Sequence, residues 1–117
     1  MYTQTFEQVL DDLYETEGIH VCILYRIDGT PIAVRTPQDT GVLKVMLWLE
    51  KQINNILREI NKEGLTATTF EFKNYQIFIT LTSRSTVLVV IIDPEAHHQL
   101  ISIEISRAKS IINKCVS

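Results

Sequence analysis

Apolar residues recur along this chain with two different periods. Phe6, Val9, Leu10, Leu13 and Tyr14 return at helical spacing, and Glu7, Asp11 and Glu15 occupy the opposite face. The spacing predicts a helix that opens at Thr5, with Gln8 completing a capping box, and stops at Gly18. From Ile19 to Ile27 the period falls to two. Ile19, Val21, Ile23, Tyr25 and Ile27 point one way, and His20, Cys22, Leu24 and Arg26 the other. Both sets contain apolar side chains, so this strand is expected to be covered on both faces. Asp28-Gly29 predicts a hairpin with a type I′ turn. Thr30–Arg35 is the return strand, and Pro31 suits an edge position.

Thr36-Pro37-Gln38-Asp39 reads as the start of a second helix, with Thr36 as cap, Pro37 at the first helical position and Asp39 favouring the dipole. Gly41 is a weak point that moves the expected start later. The helix runs to about Lys62 and Gly64 ends it. Val42, Val45, Met46, Leu49, Ile53, Ile56, Leu57 and Ile60 fall on one stripe about 120° wide, enough to dock the helix on a sheet. Leu43, Leu47 and Trp48 lie outside that stripe. A small domain has one core to offer, so these three are expected to be exposed or to meet another chain.

Three strands follow, at about 65–73, 75–82 and 86–92, joined by the short polar turns Lys73-Asn74 and Ser83-Arg84-Ser85. The first is Thr-rich, as an edge or pairing strand would be. The last is apolar on both faces and belongs in the middle of a covered sheet. Asp93-Pro94-Glu95 is expected to cap and open the last helix, with Leu100, Ile101, Ile105, Ala108, Ile111, Ile112 and Cys115 on one face. Glu104 falls inside that stripe, where Arg107 can pair with it. The predicted fold class is an α/β (α+β) sandwich in the order helix-strand-strand-helix-strand-strand-strand-helix. Its five-stranded, mainly antiparallel sheet carries helix 2 on one face and helices 1 and 3 on the other.

The 117 residues suit one domain spanning 1–117. The net charge of -3 argues against nucleic acid, and Glu7, Asp11, Asp12, Glu15 and Glu17, with no Lys or Arg before Arg26, predict an acidic surface at the N-terminal end. Cys22 and Cys115 sit in apolar segments without CxxC spacing and read as free thiols of a reducing cytosol. No apolar run approaches the ~20 residues of a membrane helix, so a cytoplasmic protein without membrane insertion is expected.

Chemistry is sparse. There is no Gly-x-x-x-x-Gly-Lys-Ser/Thr phosphate loop, no GxGxxG and no Gly-x-Ser-x-Gly nucleophile turn. His97 and His98 are adjacent on a helix and project about 100° apart, which is poor geometry for one metal. His20 beside Cys22 lacks a second ligand pair. No catalytic residue, metal or cofactor is therefore nominated. Lys44, Lys51, Arg58 and Lys62 lie near one line on helix 2, opposite its core stripe. They form an ordinary solvated face or a basic ridge for an acidic partner, with Lys44, Lys51 and Arg58 as possible contacts.

The element order, together with Gly18-Ile19-His20-Val21-Cys22-Ile23-Leu24, Asp28-Gly29-Thr30-Pro31-Ile32-Ala33 and Thr86-Val87-Leu88-Val89-Val90-Ile91-Ile92, resembles the roadblock family of dynein light chain-like domains. The resemblance covers essentially the whole chain. It implies a homodimer, or pairing with a related roadblock subunit, in which second helices pack together and third strands join into one sheet. It also implies binding and regulation of a small Ras-like GTPase, or a scaffolding role. On that basis Leu43, Leu47, Trp48, Thr66, Thr68, Phe70 and Phe72 are the expected self-interface. The chain would meet a GTPase without binding GTP itself. Nothing nominates an arginine finger, although Arg84 sits in a reachable turn. The alternatives are a longin- or profilin-like adaptor and a small-ligand sensor. The sensor needs a partly polar pocket that the continuous apolar strands leave little room for.

Overall fold

The seven residues of Thr86–Ile92 are all buried, and this strand is the middle of the sheet. A computed structural model describes residues 2–38 and 40–116, apart from the side chains of residues 2–5 and 40. The elements are α1 (Tyr2–Tyr14), β1 (Ile19–Arg26), β2 (Pro31–Arg35), α2 (Leu43–Glu63), β3 (Ala67–Glu71), β4 (Gln76–Ser83), β5 (Thr86–Ile92) and α3 (His98–Val116). The sheet runs β2-β1-β5-β4-β3, and every ladder is antiparallel. The two strands that are apolar on both faces, β1 and β5, are interior neighbours. The Pro-bearing β2 and the Thr-rich β3 are the edges.

Two apolar layers flank the sheet. On one face α2 buries Val45, Leu49, Ile53, Ile56, Leu57 and Ile60 against Val21, Ile23, Ile77, Ile79, Val87, Val89 and Ile91. On the other, Phe6, Val9, Leu10 and Leu13 of α1 join Ile101, Ala108 and Ile112 of α3 over Cys22, Leu24, Leu88 and Val90. One helix thus covers a face alone and two share the other.

Several local readings are corrected. α1 begins at Tyr2, so Thr5 lies inside the helix and does not open it. Ile19 packs on the α1/α3 side with Cys22, not with Val21 and Ile23, because a bulge between Ile19 and Val21 sets two residues of β1 against one step of β5. The extra residue, His20, meets the ring of Tyr75 edge-on at 5.4 Å. The β1–β2 turn is not type I′, which requires positive φ at two residues. Gly29 alone has it (φ 98°), in a three-residue loop closed by Arg26 N–H to Thr30 carbonyl at 2.8 Å.

α2 starts at Leu43, after a 3₁₀ turn over Thr40–Val42, and has no side-chain cap. Thr36 and Pro37 are not helical, and Asp39 lies outside the described residues. The helix-poor Gly41 delays the start. Gly64 ends the helix in the left-handed conformation (φ 75°), with its N–H on the Glu59 carbonyl. Asp93 does not cap α3. Its carboxylate accepts the Glu95 N–H (2.9 Å) in a separate turn, and His97 Nδ1 caps the helix by accepting the Leu100 N–H (3.1 Å). Leu100 and Ile111 prove exposed rather than part of the buried stripe. α3 must share its face of the sheet with α1, and only a narrow arc of it reaches the core.

The N-terminal acidic surface is also reduced. Arg35 of β2 donates to Asp11 at 2.5 Å and to the Glu7 carboxylate, so two of the five acids are neutralised by a residue 24 or 28 positions away. The guanidinium holds the Asp11 carboxyl below its ordinary range, and the two carboxylates push Arg35 up.

Candidate protein-protein interface

Of the two edge strands, β3 pairs with β4 and borders the α2 aromatics. β3 and β4 bond through the even positions of β3: Leu81 N–H donates to the Thr66 carbonyl (2.9 Å) and Phe72 N–H to the Tyr75 carbonyl (2.8 Å). Because an antiparallel ladder alternates, the N–H and C=O groups of Ala67, Thr69 and Glu71 point away from β4, into the open edge. Thr66 and Phe72 lie just outside the strand. Thr68 and Phe70 pair in register with Ile79 and Ile77, on the α2 face.

The nominated α2 residues separate into two groups. Leu43 and Leu47 are 49 % and 48 % exposed. Trp48, about 100° further around the helix, is half-buried and meets Phe70 and Phe72 edge-on, each with ring centroids 5.0 Å apart. The expectation that all three are exposed or in another chain therefore needs correcting for Trp48. Its neighbours are the aromatic residues of its own β3, which lie partly buried at the margin of the α2 core. The Trp48–Phe70–Phe72 cluster sits beside the open edge, with Leu43 and Leu47 on the adjoining outer surface of α2.

Lys44, Lys51, Arg58 and Lys62 are all exposed on α2. Arg58 Nη1 reaches Asn55 Oδ1 at 3.5 Å. Arg84 is exposed in the β4–β5 turn, remote from the aromatic cluster, beside an open groove of about 480 Å³. Thr66, Ser106, Lys109 and Asn113 share that groove. Below it, the buried hydroxyls of Thr82 and Ser83 both bond to Thr86, at 2.8 and 2.6 Å. The interior itself is filled by side chains of β1 and β5.

Cys22 is buried and its thiol is pushed up to about 12. Among the described residues no group of three or more His, Cys, Asp or Glu side chains is placed to hold a metal ion. His98 packs edge-on against Phe78 at 6.2 Å while His97 caps α3, so the adjacent pair has two separate structural roles. Among the described residues no helix is long and apolar enough to cross a membrane. Two features of the surface were missed from sequence. The outward backbone of Ala67, Thr69 and Glu71 depends on ladder parity, which side-chain identity does not encode. Ile103, 56 % exposed, lies on the far side of α3 from Ile101, a position the helical wheel does report.

A five-stranded antiparallel sheet in this order, with one long helix on one face and two on the other, is the fold of roadblock-type domains. Solved structures agree. The gliding protein MglB of Thermus thermophilus superposes with a TM-score of 0.75 at 11 % identity, over 98 % of this chain and 90 % of that one. MglC of Myxococcus xanthus gives 0.71 at 13 %, over 96 % and 97 %. A Roadblock/LC7 domain of Streptomyces avermitilis gives 0.65 at 13 %, over 89 % and 91 %. No curated protein matches the chain. The family described as AF0774-like protein matches residues 3–106, and the chain belongs to that family.

Proposed function

We propose that this protein is a non-enzymatic, dimeric regulator or scaffold that binds a small Ras-like GTPase and modulates its nucleotide cycle. The observation that carries the reading is the open β3 edge flanked by the Trp48–Phe70–Phe72 cluster and by exposed Leu43 and Leu47. An unpaired edge bordered by apolar side chains is a surface that a second chain completes. The roadblock fold favours the same partner, a second copy or a related subunit.

The strand dictates how two copies meet. A two-fold axis at Thr69 sets Thr69 against its counterpart and Ala67 against the partner's Glu71. Each facing pair exchanges two bonds, giving about six hydrogen bonds in all. An axis at Thr68 leaves about four. The Thr69 register also keeps the two Glu71 carboxylates apart. The α2 face of the joined sheet then carries both aromatic clusters and both basic lines, which suits an acidic patch on a GTPase. Any effect on hydrolysis comes from holding the GTPase's own switch segments.

The test is light scattering on the wild-type protein, followed by nucleotide release and hydrolysis assays. The probes are purified Ras-like GTPases from the same genome, loaded with GDP or a non-hydrolysable GTP analogue. A dimer that binds one loaded form and changes either rate supports the reading. A dimer that binds no GTPase in either form refutes the regulatory part and moves the adaptor reading forward. Reversing Lys51 and Arg58 to Glu separates the roles of the ridge: unchanged affinity at low salt removes it from the contact.

A further inference from the structure

Two cations from separate elements line the groove beside the β4–β5 turn. Arg84 comes from the turn and Lys109 from α3. Ser106, Lys109, Ser110 and Asn113 recur at i, i+3, i+4 and i+7, so α3 turns one polar face to the groove. A second hollow of about 580 Å³ shares Ser83, Arg84 and Asn113 with it. The chain has 14 Asp and Glu against 11 Lys and Arg, yet no carboxylate of the described residues lines either hollow. Among the described residues neither Arg84 nor Lys109 forms an ion pair. Asn113 and Val116 bring the carbonyl end of α3 to the same place. That end carries about half a negative charge, against two whole positive ones, so the groove favours an anion.

The buried hydroxyls beneath supply a further donor. Thr82 and Ser83 are 2 % and 7 % exposed, line the groove and both bond to Thr86 Oγ1. Three hydroxyls carry three protons, and their two mutual bonds use two. Among the described residues no backbone carbonyl accepts from any of them. One O–H is therefore left over, and a buried donor without an acceptor is costly. Because the other two hydroxyls share Thr86 Oγ1, rotation places the extra proton on Thr82 or Ser83, at the groove. A bound anion accepts it there.

Charge and shape then select the ligand. A phosphate monoester carries about −1.5 to −2 charge at neutral pH and three strong acceptor oxygens, a closer match to two cations than a single carboxylate. Arg84 offers a planar fork of donors and Lys109 a point charge. The groove, about 480 Å³, is of a size that takes a small molecule. Apart from Leu81 its remaining lining is hydroxyl and amide, and no aromatic side chain is present for a nucleobase to stack on. We propose that this groove binds a small phosphate monoester carried on a non-aromatic polyol. Arg84, Lys109 and the left-over hydroxyl hold the phosphate, and Ser106, Ser110 and Asn113 hold the polyol. The site is independent of the Trp48–Phe70–Phe72 surface and of the GTPase reading.

Amide NMR titration of the ¹⁵N-labelled protein with glycerol 3-phosphate tests it, with glycerol and inorganic phosphate as partial ligands. The expected result is saturable shifts in residues 82–86 and 106–113 that glycerol does not produce and inorganic phosphate produces more weakly. Arg84→Ala and Lys109→Ala each weaken binding about tenfold, since each removes charge-assisted hydrogen bonds from an exposed position. Lys51→Ala removes the same charge from α2 and leaves affinity unchanged. The titration is repeated in Thr69→Pro, whose β3 edge is blocked, so that a groove covered by self-association is told from one that binds nothing. Shifts absent in both backgrounds, or an equal loss in Lys51→Ala, overturn the site. Inorganic phosphate binding as tightly as glycerol 3-phosphate overturns the polyol part. Binding to phosphatidic acid vesicles without binding to glycerol 3-phosphate overturns the small-molecule assignment in favour of a lipid headgroup.

Discussion

Thr69→Pro separates assembly from folding. The Thr69 N–H points out of the sheet and is not used by the β3–β4 ladder, so removing it costs the monomer no ladder bond. In the dimer the same N–H is central. With the two-fold axis at Thr69, the substitution deletes both bonds of the middle pair, one from each copy. A hydrogen bond contributes about 0.5–1.5 kcal/mol net, so the loss is about 1–3 kcal/mol. That weakens the dimer about 5- to 150-fold, before any clash between the two pyrrolidine rings at the axis. The control is Thr68→Pro. Thr68 belongs to the parity that bonds β4, so its proline strands a ladder carbonyl and lowers monomer stability by about 1–3 kcal/mol. Light scattering across a dilution series reads the dimer, and urea unfolding reads the monomer. Thr69→Pro shifts the first and leaves the second nearly unchanged, while Thr68→Pro shifts the second. A Thr69→Pro protein with wild-type dimer affinity refutes the edge-pairing argument.

Trp48→Ala lowers the unfolding free energy by about 2–4 kcal/mol, because the indole packs on Phe70 and Phe72, whereas Leu47→Asp stays within about 0.5 kcal/mol of wild type and acts on self-association instead. Urea titrations of both variants check this, and equal losses refute the assignment of Trp48 to its own core. Arg35→Gln removes the partner that depresses Asp11. A depressed carboxyl contributes stability above its unfolded value near pH 3.9 and loses it as pH falls through the folded value. The gap between wild type and variant is therefore full at neutral pH and closes as pH falls below the ordinary carboxylate range, as thermal melts across pH will show. Gly18→Ala costs about 1–3 kcal/mol, since Gly18 has φ 94° and a Cβ there would lie 2.5 Å from that of Ala96. Chemical denaturation measures that loss, and a neutral result refutes the packing of this turn against Ala96.

Hydrophobic periodicity alone determined most of the architecture. The stripe Val45, Leu49, Ile53, Ile56, Leu57, Ile60 placed α2 on a sheet, and the two-sided apolar runs of β1 and β5 put those strands inside it. Both signals survive folding because burial acts on each side chain's own face, whatever its distant neighbours are. Pro31 and the Thr-rich β3 marked the edges for an equally local reason, the fit of a residue type to an unpaired strand.

Tertiary structure decided what depends on residues far apart in the chain. Arg35 reaches Glu7 and Asp11 because β2 lies beside α1, and that pairing removes charge from a surface that composition alone makes acidic. Trp48 turns inward because β3 returns alongside α2 and brings Phe70 and Phe72 to it. A single bulge reverses Ile19, since the alternation of a strand holds only while its ladder stays in step. The outward parity of Ala67, Thr69 and Glu71 arises in the same way. Backbone groups are alike in every residue, so only the pairing of β3 with β4 determines which of them remain free to bind.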